Sequence, residues 1–119
     1  MEAIMNTASS VISSSKVDGT IVYSPTGEKL GSIASLMIDK LSGKVRYAVM
    51  EFGGFLGMGT DQYPLPWNSL KYDKNLGGYM VSLETGQLES APKYAKNAAP
   101  EYTDEYGRHI YDYYRVPWN

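Results

Sequence analysis

The chain has 119 residues, 43% of them hydrophobic and 20% charged, with a formal net charge of −2. That size holds one domain with one core, and the composition is globular rather than disordered. The charge balance argues against a dedicated nucleic-acid binder, which needs cations against phosphates. With no cysteine, disulfides, thiolate metal sites and thiol nucleophiles are excluded.

Residues 1–16 are small and polar, with serines clustered at Ser9-Ser10 and Ser13-Ser14-Ser15. They read as a flexible N-terminal arm. They carry no basic n-region and no sustained apolar h-region, so no signal peptide is expected. No run approaches the roughly 18 apolar residues of a membrane span. The expected protein is cytoplasmic, without direct membrane insertion.

From Val17 to Leu83 turn signals are dense: Ser24-Pro25-Thr26-Gly27, Leu41-Ser42-Gly43-Lys44, Gly53-Gly54, Gly57 to Gly59 and Asn75-Leu76-Gly77-Gly78. Short β-prone runs lie between them, which indicates a sandwich or a barrel. Ile21 to Tyr23 forms a short first strand. Leu30 to Asp39 pairs with Lys44 to Phe52 through the intervening turn. Leu36 and Ile38 share a parity that Ile33 breaks, and a bulge near Ala34-Ser35 reconciles them.

In the Lys44 to Phe52 strand, Val45, Tyr47 and Val49 point one way and Arg46, Ala48, Met50 and Phe52 the other. Both sets are largely apolar, so one face meets the core and a neighbouring element covers the other. Pro64 and Pro66 remove two donors from one side of a later strand, which must face an edge or open solvent. Asn68 to Tyr72 turns into the next strand, and Tyr79 to Leu83 closes the set. Thr85 to Ser90 reads as one helical turn, ended by Ala91-Pro92.

After Tyr94 the chain is rich in tyrosine. Tyr102, Tyr106, Ile110 and Tyr113 approximate one helical face, which Gly107 interrupts. Such aromatic density is foreign to a disordered tail. The tail is expected to dock, on its own barrel or on a second subunit.

Several segments resemble the PRC-barrel family. Gly27-Glu28-Lys29-Leu30-Gly31-Ser32-Ile33 is similar to its opening motif. Leu36-Met37-Ile38-Asp39, Ser42-Gly43-Lys44-Val45 and Tyr47-Ala48-Val49 are similar to its next hairpin. Phe52 to Gly59 resembles its glycine-rich turn, and Pro64-Leu65-Pro66-Trp67 with Leu70-Lys71-Tyr72 its "P-W-x-x-L" segment. The resemblance implies an all-β fold, a small, strongly bent antiparallel β-barrel over residues 17–94. An aromatic extension over residues 95–119 follows it. The family includes the cytoplasmic domain of the photosynthetic reaction-centre H subunit and the C-terminal domain of a ribosome maturation factor. This chain shows neither the transmembrane helix of the first nor the preceding domain of the second. The resemblance therefore points to the stand-alone members, which are expected to self-associate.

Catalytic chemistry is hard to assemble from these residues. The loop Gly53 to Gly59 lacks the Lys-Ser/Thr of a P-loop and the G-x-G-x-x-G spacing of a dinucleotide site. His109 is the only histidine, and no ligand spacing surrounds it. The serines cluster in the arm and turns, away from His109, so no nucleophile–base pair is evident. Asp39 sits at a turn entrance and Glu51 on an accessible strand position.

The expected function is a non-enzymatic interaction or scaffold module without cofactor, metal or nucleic acid, and self-associating, as a dimer by preference. The candidate contacts are Phe55, Leu56 and Met58 on the glycine-rich loop, then Trp67, Tyr106, Ile110, Tyr113 and Trp118. Phe55, Leu56 and Met58 either plug the barrel end or meet a partner. The alternatives are a ligand-binding or stress and redox sensor with an aromatic-lined pocket between barrel and tail, and a docking subunit for a membrane complex.

Overall fold

The computed structural model describes residues 11–52, 60–83 and 85–118. Its elements are α1 (Ser14–Val17), β1 (Ile21–Tyr23), β2 (Lys29–Ile38), β3 (Val45–Phe52), β4 (Asp61–Pro66), a 3-10 turn (Trp67–Ser69), β5 (Leu70–Asp73), β6 (Gly78–Val81), α2 (Thr85–Leu88), β7 (Tyr94–Ala95) and α3 (Asp104–Tyr113). The strands make one sheet in the order β5-β6-β1-β2-β3-β4-β7. All pairs are antiparallel except β1 with β6, which is parallel.

That parallel pair has a simple cause. β4 runs into β5 through only the three residues of the 3-10 turn, yet five strand spacings of the ladder separate them. In a flat sheet those spacings would span about 24 Å, beyond the roughly 14 Å that the connecting chain can reach. The sheet must therefore curl until β4 and β5 meet at a corner. The chain continues through that corner in its old direction, so the β5–β6 hairpin returns parallel to β1. The sheet is barrel-like in curvature, but its ladder does not close among the described residues.

The two long hairpin turns use one device. In each, an aspartate accepts two backbone N–H bonds: Asp39 from Leu41 and Ser42 at 2.9 and 2.8 Å, Asp73 from Asn75 and Leu76 at 2.8 and 3.0 Å. Each turn ends four residues on at a glycine with positive φ, 77° at Gly43 and 68° at Gly77, where a Cβ is strained. The amides of Ser42 and Leu41 hold the Asp39 carboxyl below its ordinary range.

The bulge expected near Ala34 is present: Ile33 pairs with Met50 and Ser35 with Val49, skipping one residue of β2. It lets Ile33, about 1% exposed in the core, share a face with Leu36 at the core's margin, and a separate irregularity where β1 skips Leu30 turns that residue inward too. Ala48 and Met50 of β3 meet them there. Val22, Tyr63, Leu65, Val81, Leu83 and Leu88 complete this core. The second face of β3 is covered as well, since Tyr47 and Val49 are buried.

The prolines of β4 lie along a ladder edge, the first of the two expected placements. β7 pairs only with Asp61 and Gln62, so no strand adjoins the ladder side beyond Gln62 among the described residues, as missing donors require. That side does not face solvent, however. Pro64 and Pro66 are fully buried, with α3 packed against β4.

Candidate functional site between the barrel and the aromatic tail

The tail docks on its own barrel, and local sequence explains how. Thr103 caps α3: its backbone is extended and its hydroxyl accepts the Tyr106 N–H at 3.1 Å. Asp104 and Glu105 occupy the first turn, where they oppose the positive end of the helix dipole. At the other end Arg115 adopts φ of 57°, and the Val116 N–H bonds the Tyr111 carbonyl at 3.0 Å. This left-handed residue reverses the chain and brings Trp118 back against the helix.

The buried face of α3 is Gly107, Ile110 and Tyr111, flanked by the half-buried Tyr106 and Tyr114. The expected face was one step off. Tyr113 sits at its margin, 37% exposed, and donates its hydroxyl to the Gln87 carbonyl at 3.0 Å. Gly107 does not interrupt the face. It is the point of closest approach, where a Cβ would overlap the Tyr47 hydroxyl and lie 2.5 Å from two ring carbons of Trp118.

Around that point the aromatic rings pack edge to face. Tyr47 lies 5.2 Å from Tyr102 and 5.7 Å from Tyr111, and Tyr111 lies 5.0 Å from Trp118. Tyr102 also shares a 2.6 Å hydroxyl bond with Tyr94 of β7. Burial, then the Tyr94 bond, pushes the Tyr102 phenol well above its ordinary range. Burial pushes Tyr106 up to about 12 and raises Tyr47 and Tyr114 also.

Arg46 is the residue that sequence reasoning missed. Strict alternation along β3 places it with Ala48 and Met50, toward the core. A second bulge intervenes: Met37 pairs with Tyr47 and Ile38 with Val45, leaving Arg46 without a partner on β2. A bulge re-aims a side chain, and here the Arg46 guanidinium lies over the Trp118 ring, 4.3 Å from its centroid. Its freed carbonyl accepts the Tyr111 hydroxyl at 2.7 Å. The guanidinium Nη2 is buried without a hydrogen-bond partner, and neither ion pair among the described residues includes Arg46.

A groove of about 260 Å³ opens here between the β2–β3 hairpin and the tail. Met37, Ile38, Tyr47, Tyr102 and Trp118 form its apolar walls, with Arg46 among them and Asp39, Lys40 and Asp104 beside it. Of the expected contacts among the described residues, only Trp118 lines this groove. Tyr106 stacks behind it, 5.2 Å from Tyr102, and Ile110 is fully buried beneath α3. Trp67 is elsewhere, packed at the barrel core 5.5 Å from Tyr79. Phe55, Leu56 and Met58 lie outside the described residues. His109 is exposed, and no cluster of metal-ligating residues occurs among the described residues.

The family model for the PRC-barrel domain matches residues 10–88. The chain belongs to the PRC-barrel family. A search of curated proteins finds no match. The PRC-barrel match runs from the arm to the end of α2 and stops before β7 and α3. The barrel wall of the groove is thus family structure, whereas Tyr102, Asp104 and Trp118 come from the extension beyond it. No described helix is long and apolar enough to cross a membrane.

Proposed function

We propose that this PRC-barrel chain is a non-enzymatic binding module that works by recognition at the barrel–tail groove. The observation that supports this reading is Arg46, a guanidinium set among aromatic walls with its Nη2 unpartnered. An arginine over an aromatic ring with an unpartnered guanidinium nitrogen is suited to recognising a ligand rather than to holding the fold.

A thermal-shift screen with a metabolite and pigment library tests it. Stabilising compounds whose effect is lost in R46M support recognition at the groove. Compounds that stabilise R46M equally place recognition elsewhere, and a library without any stabilising compound counts against the reading.

Self-association is a second reading, and the hairpin end that adjoins the groove favours it. Ile38 and Leu41, on the β2–β3 hairpin, are 51% and 100% exposed, an apolar hairpin end with no partner in the monomer. Light scattering on a sizing column decides the matter. A dimer at high micromolar concentration that L41K dissociates supports it; a strict monomer removes it.

A further inference from the structure

We propose that the groove binds a small planar aromatic monocarboxylate, its carboxylate on the Arg46 fork and its ring between Tyr47, Tyr102 and Trp118. This rests on the groove being the recognition site. The cation comes first. Arginine presents five N–H donors in a plane that matches a carboxylate in a bidentate pair. Trp118 holds that plane by stacking, so little rotamer freedom is lost when an anion arrives.

Size and wall chemistry limit the rest of the ligand. The volume of about 260 Å³ falls below the roughly 300–1,000 Å³ of drug-sized pockets, so the occupant is a single ring system. The rings of Tyr47 and Tyr102 meet edge to face at 71°, leaving apolar edges that favour another aromatic ring over a polar one.

Charge selects one carboxylate over a polyanion. Asp39 and Asp104 line the groove with Arg46 and one further cation, Lys40. Asp39 already spends its carboxylate on the Leu41 and Ser42 amides. A dianion would satisfy Arg46 but set its second charge against these carboxylates. The N-terminus of α3 also opens on this side, but its own Asp104 and Glu105 stand against the dipole, so it contributes nothing to anion selection.

The test is a titration of the full chain followed by two-dimensional ¹H–¹⁵N NMR, with benzoate, benzamide and inorganic phosphate as probes. The two tryptophans give two indole N–H signals. Benzoate is expected to move one of them saturably, with a Kd on the order of 1 mM. Benzamide, the same shape without the charge, should bind about tenfold more weakly or worse. R46K should weaken benzoate by several-fold through loss of the fork, with its melting temperature serving as the folding control. D104N should tighten benzoate and admit phosphate. Equal binding of benzoate and benzamide overturns the carboxylate assignment, as does phosphate binding more tightly than benzoate. Either result leaves the groove itself a binding site. No saturable shift with any probe overturns this inference, whereas the groove reading is overturned only by the library screen.

Discussion

Replacing Gly107 with alanine separates two opposed effects at one position. In a solvent-exposed helix interior the change stabilises by about 1 kcal/mol, because glycine is the poorer helix former. In this helix the new methyl overlaps the Tyr47 hydroxyl and two carbons of the Trp118 ring. Tyr47 cannot yield, being 5% exposed and braced by Tyr102 and Tyr111. Trp118, half-buried and outside α3, moves instead, which lifts it from Arg46. Overpacking of this kind costs about 1–3 kcal/mol, and the lost cation–π contact adds about 0.5–1 kcal/mol. Against the helix gain, the expected net is a destabilisation of about 0.5–3 kcal/mol, or roughly 2–12 °C in melting temperature at this size. Thermal and urea denaturation read it directly. The Y47F background removes the nearest overlapping atom, so the cost of G107A should shrink there, a coupling visible in a double-mutant cycle. If G107A stabilises the wild-type chain by about 1 kcal/mol, close approach at Gly107 does not govern the docking.

Other expectations follow from the same contacts. R115G relieves the positive φ at Arg115 and should stabilise by up to about 1 kcal/mol; a lower melting temperature would show that the arginine side chain itself holds the helix end. T103A removes the cap on Tyr106 and should cost about 1 kcal/mol, with the loss of helical circular dichroism confined to the tail. In alkali the folded chain keeps the Tyr102, Tyr106 and Tyr114 phenols protonated, whereas the unfolded chain ionises them near pH 10. Their contribution is therefore full below about pH 10 and falls away as pH rises above it. Absorbance at phenolate wavelengths should show a late tyrosine phase that coincides with tail undocking. A single phase near pH 10, with the tail still helical, would contradict this. At the acid end the lowered Asp39 pKa works in the opposite sense. The wild-type advantage over D39A should be full above the ordinary carboxyl range and vanish as pH falls through it; an advantage unchanged at pH 2 would show that the turn does not depend on the ionised carboxylate.

Much of the barrel was legible because its signals are local. The Asp39–Gly43 and Asp73–Gly77 turns announce themselves by composition, and the broken parity of Ile33 locates the β2 bulge. The doubly apolar pattern of β3 foretold a cover on its outer face. The parallel β1–β6 pair was not legible, since it follows from the curl that joins β4 to β5, a property of the whole sheet. In the tail, Tyr102, Tyr106, Ile110 and Tyr113 made a plausible face, but Tyr106, Gly107, Ile110, Tyr111 and Tyr114 fit helical spacing as well. Helix propensity counts Gly107 as a defect, whereas the contact with Tyr47 makes its small size the point. Arg46 was hidden by the alternation rule itself, because nothing local marks the bulge that turns it outward.

The pairing of Tyr111 with Arg46 joins residues 65 positions apart, and this has a consequence for synthesis. At ~5–20 residues per second, Arg46 is made roughly 3–13 s before Tyr111. The barrel strands are complete in that interval, but the outer face of β3 has nothing over it. Tyr47 and Val49 then form an aromatic and aliphatic strip open to any neighbouring nascent chain. Products that stop short of α3 keep that strip permanently bare, so truncated chains, rather than the finished protein, are the species that chaperones and proteases must intercept.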